Sequence, residues 1–255
     1  MIKIFILTYN APDELDQNLK SLFACDFPKN KIEINIINNH SQNFKIDPIY
    51  SGLIIHHQTL RADWGCGTPA RDWNQALVLG FKSLKFPLCE QIILCQNDCI
   101  WDIDWYSKLE NIHISYDFYQ CSWGDCFISI KPSAIKKIGL FDERMCSLGY
   151  YEGDFLIRAW LYNRNNSSIN DHHHKRVWNP TISVANRSSS SRPQPPYTDL
   201  GKKIFELKWP NITAKNWDKG LFKVNPLHSA YPNYIFYPYF EYDIENLKEK
   251  NYILP

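Results

Sequence analysis

Apolar residues run almost unbroken from Ile2 to Leu7 and give way at Thr8-Tyr9-Asn10. Such a run is the pattern of a strand covered on both faces in a parallel sheet. Pro12-Asp13-Glu14 then opens a helix, with Leu15, Leu19, Leu22 and Phe23 as its apolar stripe. Ile32 to Ile37 reads as a second strand and Ile54-Ile55 as a short third. A second helix begins at Pro69 and continues through Trp73, Ala76, Leu77 and Phe81. Gln91 to Cys95 and Phe127 to Ile130 are further strands. Pro132 starts a helix that stops near Gly139, and Glu152 to Tyr162 is one more. Alternating strands and helices predict an α/β domain, a doubly wound, mostly parallel central sheet flanked by helices. Ligands of such sheets sit beyond the carboxyl ends of the strands.

The pattern changes after residue 163. Asn163 to Lys175 is polar and His-rich, Ser188 to Pro196 is a Ser/Pro loop, and from Tyr197 aromatic residues and Pro dominate. The expected organisation is one domain over 1–210, with an aromatic and Pro-rich extension, 211–255, packed on it. A length of 255 residues with 44% hydrophobic content sustains one full core. Charged residues make up 22% and the net charge is +1, with no basic stripe, which argues against a nucleic-acid partner. No stretch has the form of a signal peptide, and none reaches the roughly 20 apolar residues of a membrane span. The eight cysteines include no C-x-x-C pair. Free thiols and a cytoplasmic location are therefore expected. Aromatic residues are 15% of the chain, nine of them Trp, and core packing explains them more readily than sugar-stacking platforms.

Four segments carry candidate chemistry. Thr8-Tyr9-Asn10 and Asn38-Asn39-His40-Ser41 follow the first two strands, where polar residues can line a crevice for a base and ribose or merely cap the turns. Trp64 to Asn74 places Gly65 and Gly67 before a helix start. Its backbone N–H groups and Arg71 suit a phosphate, and the same pattern suits an ordinary cap with Pro in the first turn. The strand ending at Cys95 runs into Gln96-Asn97-Asp98, then Asp102 and Asp104, as either an acidic turn or a carboxylate for Mg²⁺ or Mn²⁺ on phosphates. Finally, Glu152 and Asp154 open a helix, where the dipole favours carboxylates. One of them can act as general base on an acceptor hydroxyl.

In order and spacing these segments, over roughly residues 2–210, resemble the family 2 glycosyltransferases of the GT-A fold. Ile6-Leu7-Thr8-Tyr9-Asn10 looks like that family's first strand and T-Y-N turn, and Asn38-Asn39-His40-Ser41 stands where D-N-x-S is usual. Gly67 to Asn74 is similar to G-x-x-x-A-R-N. Gly124 to Phe127 and Gly139-Leu140-Phe141-Asp142-Glu143 resemble the acceptor-side strand and G-x-F-D-E, and Tyr151-Glu152-Gly153-Asp154-Phe155 resembles E-D-x-D-L. The resemblance implies a UDP-, GDP- or dTDP-sugar donor, a glycan or other hydroxyl acceptor, and transfer by a single inverting displacement. It implies that Thr8, Tyr9, Asn10, Asn38 and Asn97 bind the nucleotide-sugar, with Arg71 near the diphosphate. Asp98 becomes the last residue of the metal-binding D-x-D motif, for Mn²⁺ or Mg²⁺. Glu152, counted back from Arg158, becomes the base, with Asp154 beside it as the second catalytic carboxylate. Two departures stand out: Asn38 replaces an Asp, and Gln96 replaces the first Asp of D-x-D, where an amide binds a hard cation more weakly.

His172-His173-His174 alternate sides in an extended segment and suit solvated loop residues better than a shared chelate. The family's late His ligand falls on one of these or, instead, at Asn186. Two other function classes remain: a non-catalytic carbohydrate- or nucleotide-sugar-binding protein, and a sugar nucleotidyltransferase. The latter wants a Gly-rich, Arg-containing loop after the first strand, which Thr8-Tyr9-Asn10-Ala11-Pro12 is not.

Overall fold

The computed structural model describes residues 1–39, 45–58, 69–113, 117–121, 127–142, 150–165, 176–177, 202–203, 205–206 and 209. Their strands are β1 (Ile2–Thr8), β2 (Ile32–Asn38), β3 (Ile54–Gln58), β4 (Gln91–Gln96), β5 (Phe118–Cys121), β6 (Phe127–Ile130) and β7 (Arg176–Val177). Their helices are α1 (Pro12–Phe23), α2 (Pro69–Phe81), α3 (Trp105–His113), α4 (Pro132–Ile138) and α5 (Tyr150–Asn165), with one 3₁₀ turn at Pro48–Tyr50. Among the described residues the strands form one sheet in the order β3-β2-β1-β4-β6-β5-β7. β1 runs parallel to β2 and β4, and β2 parallel to β3. β6 runs antiparallel to both β4 and β5, and β5 parallel to β7. The domain is thus the expected α/β class with a mostly parallel sheet.

All seven residues of β1 are buried, as the unbroken apolar run requires. Alternate side chains serve opposite layers. Ile4, Ile6, Ile34, Ile36 and Ile93 pack with Leu15, Leu19 and Leu22 of α1 and with Trp105 and Leu109 of α3. Phe5, Leu7, Ile92 and Leu94 pack with Trp73 and Leu77 of α2, Ile135 of α4 and Phe155 of α5. α1 starts with Pro12 in its first turn beside Asp13 and Glu14, which suit the positive end of the dipole, and Lys20 lies in the last turn. Each of its three buried leucines contributes about 1.5–3 kcal/mol of transfer energy. α4 ends where Gly139 takes φ 82°, a left-handed value that favours glycine.

Four described elements went unread in the sequence: α3, β5, β7 and the 3₁₀ turn. α3 buries one narrow edge through Trp105 and Leu109, and its first turn follows a run of aspartates that reads as a turn. β5 is only four residues long. α5 extends to both sides of the segment expected for it. Phe205 and Trp209 belong to the core on the α5 side, so the chain packs on the domain at least that far. The extension at 211–255 lies outside the described residues, as do His40, Ser41, Trp64 to Thr68, Gly124 to Cys126, Glu143, Gly149, His172, His173, His174 and Asn186.

Candidate functional site at the strand ends

The strand order places a switch point beside β1: successive strands lead away to β2 and β3, and the chain then crosses back to place β4 on the other side. A crevice opens at such a point, beyond the carboxyl ends. Register brings those ends to one level, because Thr8 is opposite Asn38 and Leu7 is opposite Gln96. The backbone continues the alignment by one residue. Asn39 N donates to the Thr8 carbonyl at 2.8 Å and Asn97 N to the Leu7 carbonyl at 3.1 Å. Four of the residues singled out from sequence, Thr8, Asn38, Asn97 and Asp98, therefore lie together at the carboxyl ends of three adjacent strands.

Thr8, Asn38 and Asn97 are buried, Tyr9 and Asp98 half-buried, and Asn10 exposed. Asn10 holds φ 46°, a conformation that Asn tolerates better than most residues. It turns the chain from β1 into α1 beyond the carboxyl end of β1. The Asn97 side chain is 8% exposed, and its Nδ2 has no hydrogen-bond partner among the described residues. A buried amide donor at a strand's carboxyl end is set up to receive an acceptor.

The turn after β4 is held by α1. Fully buried Asn18 donates from Nδ2 to the Gln96 carbonyl at 2.9 Å and accepts from Trp101 Nε1 at 2.9 Å. Ser21 Oγ accepts from Trp101 N at 3.1 Å. The Cys25 thiol lies 3.2 Å from the Asp102 carbonyl, and burial, then the charges of Asp102 and Asp104, push its pKa up to about 11.

On the opposite layer, Arg71 is half-buried in the first turn of α2, and Glu152 is half-buried in the first turn of α5. The two helices meet through the segment between α4 and α5. Asn74 of α2 donates to the Phe141 carbonyl at 2.9 Å and accepts from Phe141 N at 2.8 Å. Arg158 of α5 donates to the carbonyls of Ile138 and Leu140, the latter at 2.6 Å. Phe141 also stacks on Phe155 at 4.1 Å.

Asp154, paired with Glu152 as a catalytic carboxylate in the sequence reading, is placed differently. It is fully buried, with Oδ2 2.9 Å from Arg158 Nε and Oδ1 accepting from Trp209 Nε1 at 2.9 Å. Both oxygens are engaged in holding α5 to its surroundings. Sequence reasoning passed over Asn18, Trp101 and Trp209. Asn18 carried a signal, a polar residue inside the apolar stripe of α1.

Among the described residues no group of three or more His, Cys, Asp or Glu is arranged to hold a metal ion. Asp98 supplies one carboxylate beside the amides of Gln96 and Asn97. That set fits a divalent cation only as one shared with phosphate oxygens, the way Mg²⁺ is commonly held.

No protein-family model and no curated protein matches the chain. Solved structures similar to it include residues 1–349 of S. aureus TarS, at 16% identity and TM-score 0.49 over 63% of this chain and 55% of that one. Mannosyltransferase PcManGT from Pyrobaculum calidifontis, in complex with GDP-Man and Mn²⁺, aligns at 12% identity and TM-score 0.45 over 62% of this chain and 51% of that one. GalNAc-T7 with UDP, GalNAc and Mn²⁺ aligns at 14% identity and TM-score 0.46, over 63% and 40%. The chain spans about half the length of the first two.

Proposed function

We propose that this chain is a glycosyltransferase that moves a sugar from a nucleotide-sugar donor to a hydroxyl of a glycan or other acceptor, with inversion. The observation that carries the reading is the meeting of Thr8, Asn38, Asn97 and Asp98 at the switch point of the sheet. It is supported by the ordered resemblance of the surrounding motifs to family 2 glycosyltransferases.

In this reading Thr8, Tyr9, Asn10 and Asn38 receive the nucleoside, and Asn97 donates its free N–H to the bound nucleotide. Arg71, in the first turn of α2, faces the diphosphate, where guanidinium and helix N-terminus act together. Glu152 takes the proton from the acceptor hydroxyl as its oxygen attacks the anomeric carbon. The bond from that carbon to the diphosphate oxygen breaks, and the nucleoside diphosphate leaves with the electron pair. Asp98 would hold a divalent cation, which neutralises charge on the departing diphosphate. Asp154 does not touch the substrate and fixes the helix that carries the base.

A panel of UDP-, GDP- and dTDP-sugars assayed for released nucleoside diphosphate tests this. Glu152→Gln should lower turnover by about 10²–10⁴-fold, the worth of a general base, and leave donor binding nearly unchanged. Near-normal turnover in that variant overturns the assignment of the base. Donor binding with no release by the native chain identifies a donor-binding protein instead.

A further inference from the structure

The face of α1 turned towards β4 is not uniformly apolar. Asn18 and Ser21 stand at i and i+3, with Cys25 just past the helix end, and all three present polar groups to the chain that follows β4. Asn18 spans both ends of one turn: Nδ2 holds the Gln96 carbonyl before Asn97 and Asp98, and Oδ1 holds the Trp101 indole after them. Ser21 Oγ holds Trp101 N and itself donates to the Asn18 carbonyl at 2.8 Å. Trp101 is in turn packed against Trp105 at 4.8 Å and Phe127 at 5.7 Å. The turn that carries Asp98 is thus fastened at each end to a helix and wedged by an indole, all within the core.

We infer that Asn18, with Trp101 and Ser21, is a positioning device for Asp98, setting the carboxylate for the diphosphate end of the donor. An apolar residue at position 18 would pack this face equally well if core burial were the sole requirement. A fully buried amide with both ends bonded to the two flanks of one turn fixes that turn's geometry as well. This inference rests on the reading of the crevice as a nucleotide site. It adds that affinity for the diphosphate, and not for the nucleoside, depends on α1.

Trp101→Phe removes the indole donor and keeps a ring in place. Ser21→Ala, at a half-buried position, supplies a second variant that releases Trp101 N should the first fail to fold. Each is titrated calorimetrically with UDP, GDP and dTDP and with the matching monophosphates, in the presence of Mn²⁺, with folding checked by near-UV circular dichroism. The expected result is a loss of about tenfold in affinity for the diphosphate, the scale of one hydrogen bond, with monophosphate affinity unchanged. Equal loss for both nucleotides, or no loss for either, in a folded variant overturns the positioning role while the nucleotide site stands. If the native chain binds none of the diphosphates, the reading of the crevice fails and the inference with it.

Discussion

Side chains in this protein divide between those that face the crevice and those that hold the elements behind it, and Asp154 shows how burial separates the two. A carboxylate taken fully out of water is costly unless its charge and lone pairs are met, here by Arg158 and Trp209. Two residues earlier, Glu152 remains half-buried on the same helical turn, which is why the proposed base is Glu152. A second, partly buried polar chain crosses the sheet. Lys3 Nζ lies 3.0 Å from Glu33, Asn35 donates to Glu33 at 3.0 Å, and His57 lies 2.9 Å from Asn35 Oδ1. Burial first, then His56, lower the His57 pKa below its usual 6.5, against a smaller opposing effect of Glu33. The folded state therefore takes up its proton later than the unfolded chain on acidification. Stability is full above 6.5 and falls as pH drops towards the depressed value. Thermal melts between pH 7 and 5 should show this decline, and His57→Gln should flatten it, leaving the part due to His56, which burial also lowers. An unchanged slope in the variant removes His57 from the account.

Helices α2 and α5 are joined less by direct packing than by their shared grip on residues 138–142. Asn74 supplies both hydrogen bonds of a backbone pair to Phe141, and all of these groups are buried. Asn74→Ala leaves a buried N–H and a buried carbonyl unmet, at about 1–3 kcal/mol each. A chain of this size loses about 2–4 °C per kcal/mol. A fall of that order in melting temperature is expected, and a melt within about a degree of native would contradict the clasp. Elements like this one explain what sequence alone could and could not supply. β1, α1, α2 and α4 were legible because each combines strict periodicity with Pro at its start or a sharp polar stop. α3 was not, since Trp105 and Leu109 give it one narrow buried edge behind a run of aspartates. Thr8, Asn38 and Asp98 were legible because strand ends announce themselves by a switch from apolar to polar residues. The buried partners of Asp154 were not, because Trp209 lies 55 residues away in sequence and only the packed structure brings them together.

On the scale of the molecule, the order β3-β2-β1-β4 decides where a ligand can sit, and the antiparallel β6 closes the far side of β4. α1 and α3 cover one face and α2, α4 and α5 the other. α1 fastens the turn that carries Asp98, while Arg71 and Glu152 stand in the first turns of α2 and α5 on the other layer. In the proposed function the same division separates the nucleotide residues on the strand ends from the base on a helix. Among the described residues no helix is long and apolar enough to cross a membrane. The most direct test of this arrangement is a crystal structure of the chain grown with UDP- or GDP-sugar and Mn²⁺. The account predicts the base and ribose between Thr8 and Asn38, with the diphosphate beside Asp98 and Arg71. A donor bound elsewhere on the chain, or with its diphosphate turned away from Asp98, would contradict it.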